Sequence, residues 1–268
     1  MKRSDLVELI RKKQSFLCVG LDTDPNKIPD HLKSGEDGVL QFNKAIIEAT
    51  LPYAVSYKLN IAFYEAMGEK GWKILRKTID MIPRQEALII ADAKRGDIGN
   101  TADRYAHAFF EEFNCHAVTV NPYMGEDSIT PFTAYENNWA ILLGLTSNKG
   151  AKDFELLKLD DGRYVYEAVI QRSAELDVNN NIMFVVGATQ SEHFERIRNV
   201  APSHFLLVPG VGAQGGTLSD LKPLVTDEVG LLVNSSRKII YASSGLDFAD
   251  AAQKEAEVLQ VAMSQMIP

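Results

Sequence analysis

Eight short runs of apolar and β-branched residues recur along the 268-residue chain, at 15–22, 54–60, 87–94, 117–123, 139–147, 182–189, 204–212 and 230–237. Stretches with helical spacing lie between them, clearest at 39–51, 65–82, 99–113, 164–176, 191–200 and 247–263, and weaker at 127–136 and 215–225. Near-continuous apolar strands alternating with helices predict a parallel sheet covered by helices. Eight such units in a chain of this length predict an α/β protein of the (β/α)8 TIM-barrel class, with one domain over residues 1–268. A doubly wound open sheet is the competing architecture. One stretch breaks the rhythm: residues 148–163 are longer than an ordinary βα loop and carry a turn signal at Asp161-Gly162. A segment of that length is either a lid or a solvated excursion.

The composition limits the partners. A net charge of -8 argues against nucleic acid or an anionic membrane, and it requires any anionic substrate to meet locally gathered Lys and Arg. No apolar run reaches membrane-spanning length, and the opening residues lead into an amphipathic pattern rather than an apolar signal core. The two cysteines, Cys18 and Cys115, form no Cys-x-x-Cys, and His31, His107, His116, His193 and His204 show no metal-ligand spacing. The expected setting is a reducing cytoplasm, with no metal.

Polar groups gather where the strands should end: Asp22, Lys58 and Asn60, Asp92 and Lys94, Asn121, Thr146 and Ser147, and Ser235, Ser236 and Arg237. In a barrel these ends converge on one mouth, where active sites are built. Unpaired burial of so many polar groups would be costly, so a shared polar site is the better reading.

The densest of these segments is Ala91-Asp92-Ala93-Lys94-Arg95-Gly96-Asp97-Ile98-Gly99-Asn100-Thr101-Ala102, which follows the apolar Ala87-Leu88-Ile89-Ile90. Strand alternation places Asp92 and Lys94 on one face, with Asp97 just beyond the strand end. A lysine between two carboxylates is held as an ammonium, and so as a proton donor rather than a nucleophilic amine. Asn100 or Thr101 is placed to cap a following helix. The plain alternative is a salt-bridged strand end that solubilises a loop.

Two later segments read as an anion site. Pro209-Gly210-Val211-Gly212-Ala213-Gln214-Gly215-Gly216 follows the seventh run, and its glycines let backbone amides approach a ligand. Ser235-Ser236-Arg237 ends the eighth run, and arginine offers a planar fork of donors to phosphate oxygens. Gly210-x-Gly212-x-x-Gly215 also matches a dinucleotide fingerprint. It comes after six earlier strands, and no acidic residue ends the next strand to hold a ribose hydroxyl.

Taken together, these residues carry a resemblance. The segment from Asp92 to Thr101 resembles the signature of the orotidine 5'-phosphate decarboxylase family, in its longer bacterial-type subgroup. Four further segments agree in order along the chain: Gly20-Leu21-Asp22-Thr23-Asp24, Tyr57 to Glu65, Pro209 to Gly216, and Val233-Asn234-Ser235-Ser236-Arg237. One departure is Lys238, where family members often carry a small residue.

The resemblance implies cofactor-free conversion of orotidine 5'-monophosphate to uridine 5'-monophosphate in de novo pyrimidine biosynthesis. It implies that Lys58, Asp92, Lys94 and Asp97 form an alternating charge network, with Lys94 protonating C6 and Asp92 beside the substrate carboxylate. Asp22 and Lys58 would hold ribose hydroxyls, and Ser147 the pyrimidine edge. Gln214 and Arg237 would hold the phosphate, helped by the backbone of Gly212 and Ser236. Asn60 and Pro209 complete the binding set. The active unit would be a homodimer in which Asp97 and Thr101 reach the neighbour's site. Magnesium-dependent relatives of the same suprafamily carry an acidic metal ligand at the end of the second strand, where this chain has Lys58. A non-catalytic phosphate-binding barrel is the remaining reading. It is disfavoured because binding alone does not need a buried Asp-Lys-Asp cluster.

Overall fold

A computed structural model describes residues 1–35, 37–211 and 216–268. Eight strands form at the eight expected places: β1 (Leu17–Gly20), β2 (Ala54–Asn60), β3 (Leu88–Arg95), β4 (Ala117–Val120), β5 (Trp139–Leu145), β6 (Ile182–Val186), β7 (Phe205–Pro209) and β8 (Leu231–Ser235). Each pairs in parallel with the next. The sheet then closes through β1 and β8, with Leu17 opposite Val233, and the open-sheet alternative is thereby set aside. Almost every strand residue is buried on both faces, by side chains inside the barrel and by helices outside it. Two-sided burial is why the strands read as continuous apolar runs.

Most strands are shorter than their apolar runs at the carboxyl end. β8 stops at Ser235, and Arg237 instead opens a short helix, Arg237–Ile240. β4 stops at Val120, and the Asn121 side chain accepts from the Tyr123 amide to cap a short 3₁₀ turn. Once a chain leaves the sheet its backbone groups need new partners; Asn121 supplies one after β4, whereas no side chain caps the helix after β8.

The clearest helices also form where expected: Gly38–Thr50, Gly99–His107 continuing into a π-turn at Ala108–Glu112, Val165–Glu175 and Phe248–Ser264. The stretch 65–82 forms a helix over Gly68–Met81, set off from a short preceding helix, Ile61–Glu65, by a break at which Gly68 takes the left-handed φ of +64°. The weaker stretches form only short 3₁₀ or α turns at Glu126–Ser128, Thr130–Thr133 and Ser219–Leu224. The expected cap by Asn100 or Thr101 does not occur. The helix starts at Gly99, and Ile98 occupies the cap position without a side-chain bond.

Helix Arg3–Lys13 packs at the amino end of the barrel. The Lys13 ammonium donates to the carbonyls of Leu51, Ala54 and Glu86, and the Trp139 indole N–H donates to the carbonyl of Met1. That end is filled, which leaves the carboxyl end as the open mouth. No helix among the described residues is long and apolar enough to cross a membrane.

Candidate active site

The site is assembled by strand register. Gly20 lies opposite Lys58, and Asn60 lies opposite Asp92, so β1, β2 and β3 deliver their terminal polar residues side by side. Lys58 Nζ lies 2.9 Å from Asp92 Oδ2 and 3.5 Å from Asp22 Oδ1. Lys94 Nζ lies 2.6 Å from Asp92 Oδ1. The Lys58 and Asp92 side chains are only 6% and 10% exposed, whereas Lys94 is 51% exposed and reaches into the open mouth.

Burial alone would discharge this cluster. It raises the carboxyl of Asp92, but Lys58 and Lys94 outweigh that effect and hold its pKa down at about 2. Burial likewise lowers the Lys58 ammonium, and the Asp92 and Asp22 carboxylates reverse this and hold it above the ordinary lysine value. Asp92 therefore remains an anion and Lys58 a cation throughout the neutral range.

The arrangement departs from one expectation. Within one chain, Lys94 pairs with one carboxylate, Asp92, which it shares with Lys58, and the lysine that lies between two carboxylates is Lys58, between Asp92 and Asp22. Asp97 lies past the end of β3, and its Oδ1 accepts from the Ile98 amide at 2.9 Å. Among the described residues it forms no ion pair with Lys94 or Lys58. The physical reason is the end of β3: Lys94 turns into a left-handed conformation at φ +47°, which sends Nζ back toward Asp92 while the following chain leaves the mouth.

One cavity gathers eight of the expected residues: Asp22, Lys58, Asn60, Asp92, Lys94, Pro209, Ser236 and Arg237. Four cations, Lys58, Lys94, Arg237 and Lys238, face two carboxylates, Asp22 and Asp92, so the cavity is locally positive in an acidic protein. Lys238 also pairs with Glu255 of the last helix at 3.2 Å. Val185, Leu207 and Val211 supply an apolar wall. Asn60 has a second task, accepting from the Ala62 amide to cap the helix Ile61–Glu65.

The seam between β1 and β8 is tight. A β-carbon at Gly20 would come within 1.8 Å of Ser236 Oγ, so glycine here leaves the space that the Ser236 side chain occupies. Tyr241, which the sequence reading passed over, ties the β1 loop to the last turn. Its hydroxyl accepts from the Asp24 amide at 2.8 Å and donates to the Asp22 carbonyl at 3.3 Å.

The remaining expected residues lie outside this cavity or outside the described residues. Ser147 follows β5, half-buried, and does not line the cavity. Thr101 is exposed on the helix after β3. Gly212 and Gln214 fall in the segment 212–215, outside the described residues. Residues 148–163 fold back as a clasp on β5. The Glu155 carboxylate accepts from the Thr146 amide at 2.7 Å and from its hydroxyl at 2.8 Å, and Gln190 donates to the Thr146 carbonyl at 2.7 Å. Thr119 lines the cavity and was not foreseen, because Ala117-Val-Thr-Val reads only as a β-branched strand. Among the described residues, no group of three or more His, Cys, Asp and Glu side chains is placed to hold a metal ion.

Comparison with known proteins gives this geometry a context. The family model described as orotidine 5'-phosphate decarboxylase / HUMPS family matches residues 15–253. A curated protein from Phocaeicola vulgatus, named orotidine 5'-phosphate decarboxylase, is 54% identical over 270 aligned residues, covering 100% of this chain and 99% of that protein. One of the same name from Christiangramia forsetii is 54% identical, with 98% of each chain covered.

The chain belongs to the orotidine 5'-phosphate decarboxylase family.

A solved Leishmania donovani OMP decarboxylase superposes with a TM-score of 0.79 at 37% identity, covering 97% of this chain and 99% of that one. In this member of the orotidine 5'-phosphate decarboxylase family, the matched region of the family model spans the whole barrel from β1 to β8. It therefore includes every strand end that contributes to the mouth.

Proposed function

We propose that the mouth of this barrel decarboxylates orotidine 5'-monophosphate to uridine 5'-monophosphate, with Lys94 as the proton donor. The observation that carries this reading is the Lys94–Asp92 ion pair at 2.6 Å, set at the mouth of a barrel of this family. The C6–carboxylate bond breaks, its electron pair stays on C6, and carbon dioxide leaves. C6 then takes a proton from Lys94 Nζ, and Lys94 recovers one from solvent. The ring offers no conjugated sink for the C6 charge, so a fixed ammonium beside it is the main stabilising element. At 4 Å and an effective dielectric of 20, one such charge pair contributes about 4 kcal/mol.

Asp92 beside the substrate carboxylate adds repulsion that is relieved as carbon dioxide departs. Its charge is already offset by Lys58 and Lys94, so this contribution ranks below that of Lys94. Asp22 and Lys58 hold ribose hydroxyls, with Asn60 at the same strand ends. Arg237 and Gln214 hold the phosphate, helped by the backbone of Gly212 and Ser236, Pro209 belongs to the binding set, and Ser147 meets the pyrimidine edge. Binding energy at the distant phosphate is then available to orient the ring in the transition state. The cations gathered at the mouth support an anionic nucleotide as the substrate.

An ultraviolet assay with orotidine 5'-monophosphate tests the reading. Turnover is expected, and treatment with a chelator should leave it unchanged, because an ammonium (Lys58) stands where metal-dependent relatives carry an acidic ligand. Activity lost with chelator and restored by magnesium would move the chain to that metal-dependent class.

The functional unit in this reading is a cytoplasmic homodimer in which Asp97 and Thr101 serve the neighbour's site. Supporting it, Asp97 precedes the 52%-exposed Ile98, Thr101 is exposed on the helix that follows, and Asp97 has no charged partner among the described residues of its own chain. Mixing inactive Lys94→Ala and Asp97→Ala chains should restore activity, since one site of each mixed dimer then has both groups. No recovery after subunit exchange would count against shared sites.

A further inference from the structure

From the contacts of β4 we infer that Thr119 is a positioning residue for proton transfer: one buried hydroxyl fixes both the backbone of Lys94 and the carboxylate that holds its ammonium. This rests on the function proposed above. Three observations support it. First, the β3–β4 ladder is broken at this point. The pairing runs from Ala91 opposite Val118 to Arg95 opposite Val120, so β3 carries extra residues and Lys94 loses a regular ladder partner. Second, Lys94 has φ +47°, a left-handed conformation rarely adopted by a residue with a side chain and one that persists only where the surroundings impose it. Third, Thr119 Oγ1 lies 2.8 Å from the Lys94 amide and 3.0 Å from Asp92 Oδ1, and Thr119 is 1% exposed.

The direction of these bonds is fixed by chemistry. An amide N–H can only donate, so the hydroxyl oxygen accepts from Lys94. A carboxylate can only accept, so the hydroxyl hydrogen points to Asp92. The oxygen it reaches, Asp92 Oδ1, is the same one that pairs with Lys94 Nζ. Backbone, hydroxyl, carboxylate and ammonium therefore form a closed loop of contacts. Lys94 is half-exposed on a flexible stem, and this loop returns its nitrogen to one place. Without the hydroxyl, the left-handed turn loses its tie and Asp92 loses the donor that keeps Oδ1 turned toward Lys94.

Thr119→Val, Thr119→Ala and Thr119→Ser test this, read against wild type and Lys94→Ala. Thr119→Val keeps the shape and removes the hydroxyl. It should lower kcat by about 10- to 100-fold, the loss expected for a buried hydrogen bond to a charged group. KM for orotidine 5'-monophosphate and the affinity for uridine 5'-monophosphate should stay within about 3-fold, because Thr119 acts on the proton donor and not on the ligand. Thr119→Ser restores the hydroxyl and should come within about 3-fold of the wild-type kcat. Thr119→Ala is the second deletion and gives the same reading if the valine variant does not fold. Undiminished kcat in a folded deletion variant would overturn the inference, as would a serine variant no better than valine or a parallel fall in kcat and ligand affinity. Those results, with an active wild type and an inactive Lys94→Ala, leave the proposed function standing. A wild type that does not decarboxylate the nucleotide removes that function and this inference together.

Discussion

Lys94→Ala is expected to lower kcat by about 10³-fold or more, while the affinity for uridine 5'-monophosphate stays within a few-fold of wild type. The size follows from losing one ammonium near the developing carbanion, about 4 kcal/mol at an effective dielectric of 20. The selectivity follows from the geometry. Lys94 is half-exposed at the mouth, and Arg237, Lys238 and Lys58 remain to attract the nucleotide. Asp92 keeps Lys58 as a partner at 2.9 Å, so the fold should be little affected. Loss of orotidine absorbance gives kcat, and calorimetry gives the affinity. An alanine variant as active as wild type would remove Lys94 from the reaction.

Asp92→Ala is expected to act on stability as well as on activity. It strips the 6%-exposed Lys58 side chain of its nearer counter-charge and leaves only Asp22 at 3.5 Å. Breaking a buried pair in this way costs about 3 kcal/mol, which lowers Tm by roughly 6–12 °C in a chain of this size. Asp92→Asn, which keeps a polar group beside Lys58, should lose less.

The difference between wild type and Asp92→Ala also depends on pH, with a definite sign. The folded pKa of Asp92 is depressed to about 2, so its contribution is fully present above the unfolded carboxylate value of about 3.9 and fades as pH falls through about 2. Lys58 has a raised folded pKa, so its contribution is fully present below the ordinary lysine value and is lost only as strongly alkaline pH passes that folded value. Thermal melts at pH 7, 4 and 3 should therefore show similar gaps at the first two and a smaller one at the third. A gap unchanged from pH 7 to pH 3 would show that the Asp92 charge does not hold Lys58 in place.

The barrel is readable in the sequence because burial on both faces leaves the strands largely apolar, with Ser56 and Thr119 as small buried exceptions before the polar ends. The ends were harder. Ser236 and Arg237 continue the β8 run in composition, yet the chain leaves the sheet after Ser235, and one-dimensional pattern cannot locate that turn. Strand alternation puts Asp92 and Lys94 on one face, but the ion pair between them forms by another route. The left-handed turn at Lys94 departs from regular strand geometry, and its ammonium meets Asp92 through a bend that no residue in the segment announces. Thr119 was invisible for the same reason, since its role exists only across a bulge between two strands. The task proposed for Asp97 requires a second chain and cannot be read from one.

Closure of the barrel through Leu17 and Val233 carries a consequence for how the protein matures. Asp22 follows the first strand and Arg237 the last, so the ribose and phosphate ends of the proposed nucleotide seat come from opposite ends of the polypeptide. A chain still emerging from the ribosome holds the acid–lysine cluster well before it holds the phosphate anchor. Competence should arrive in one step, with the docking of the final strand, and regain of turnover during refolding would time that event.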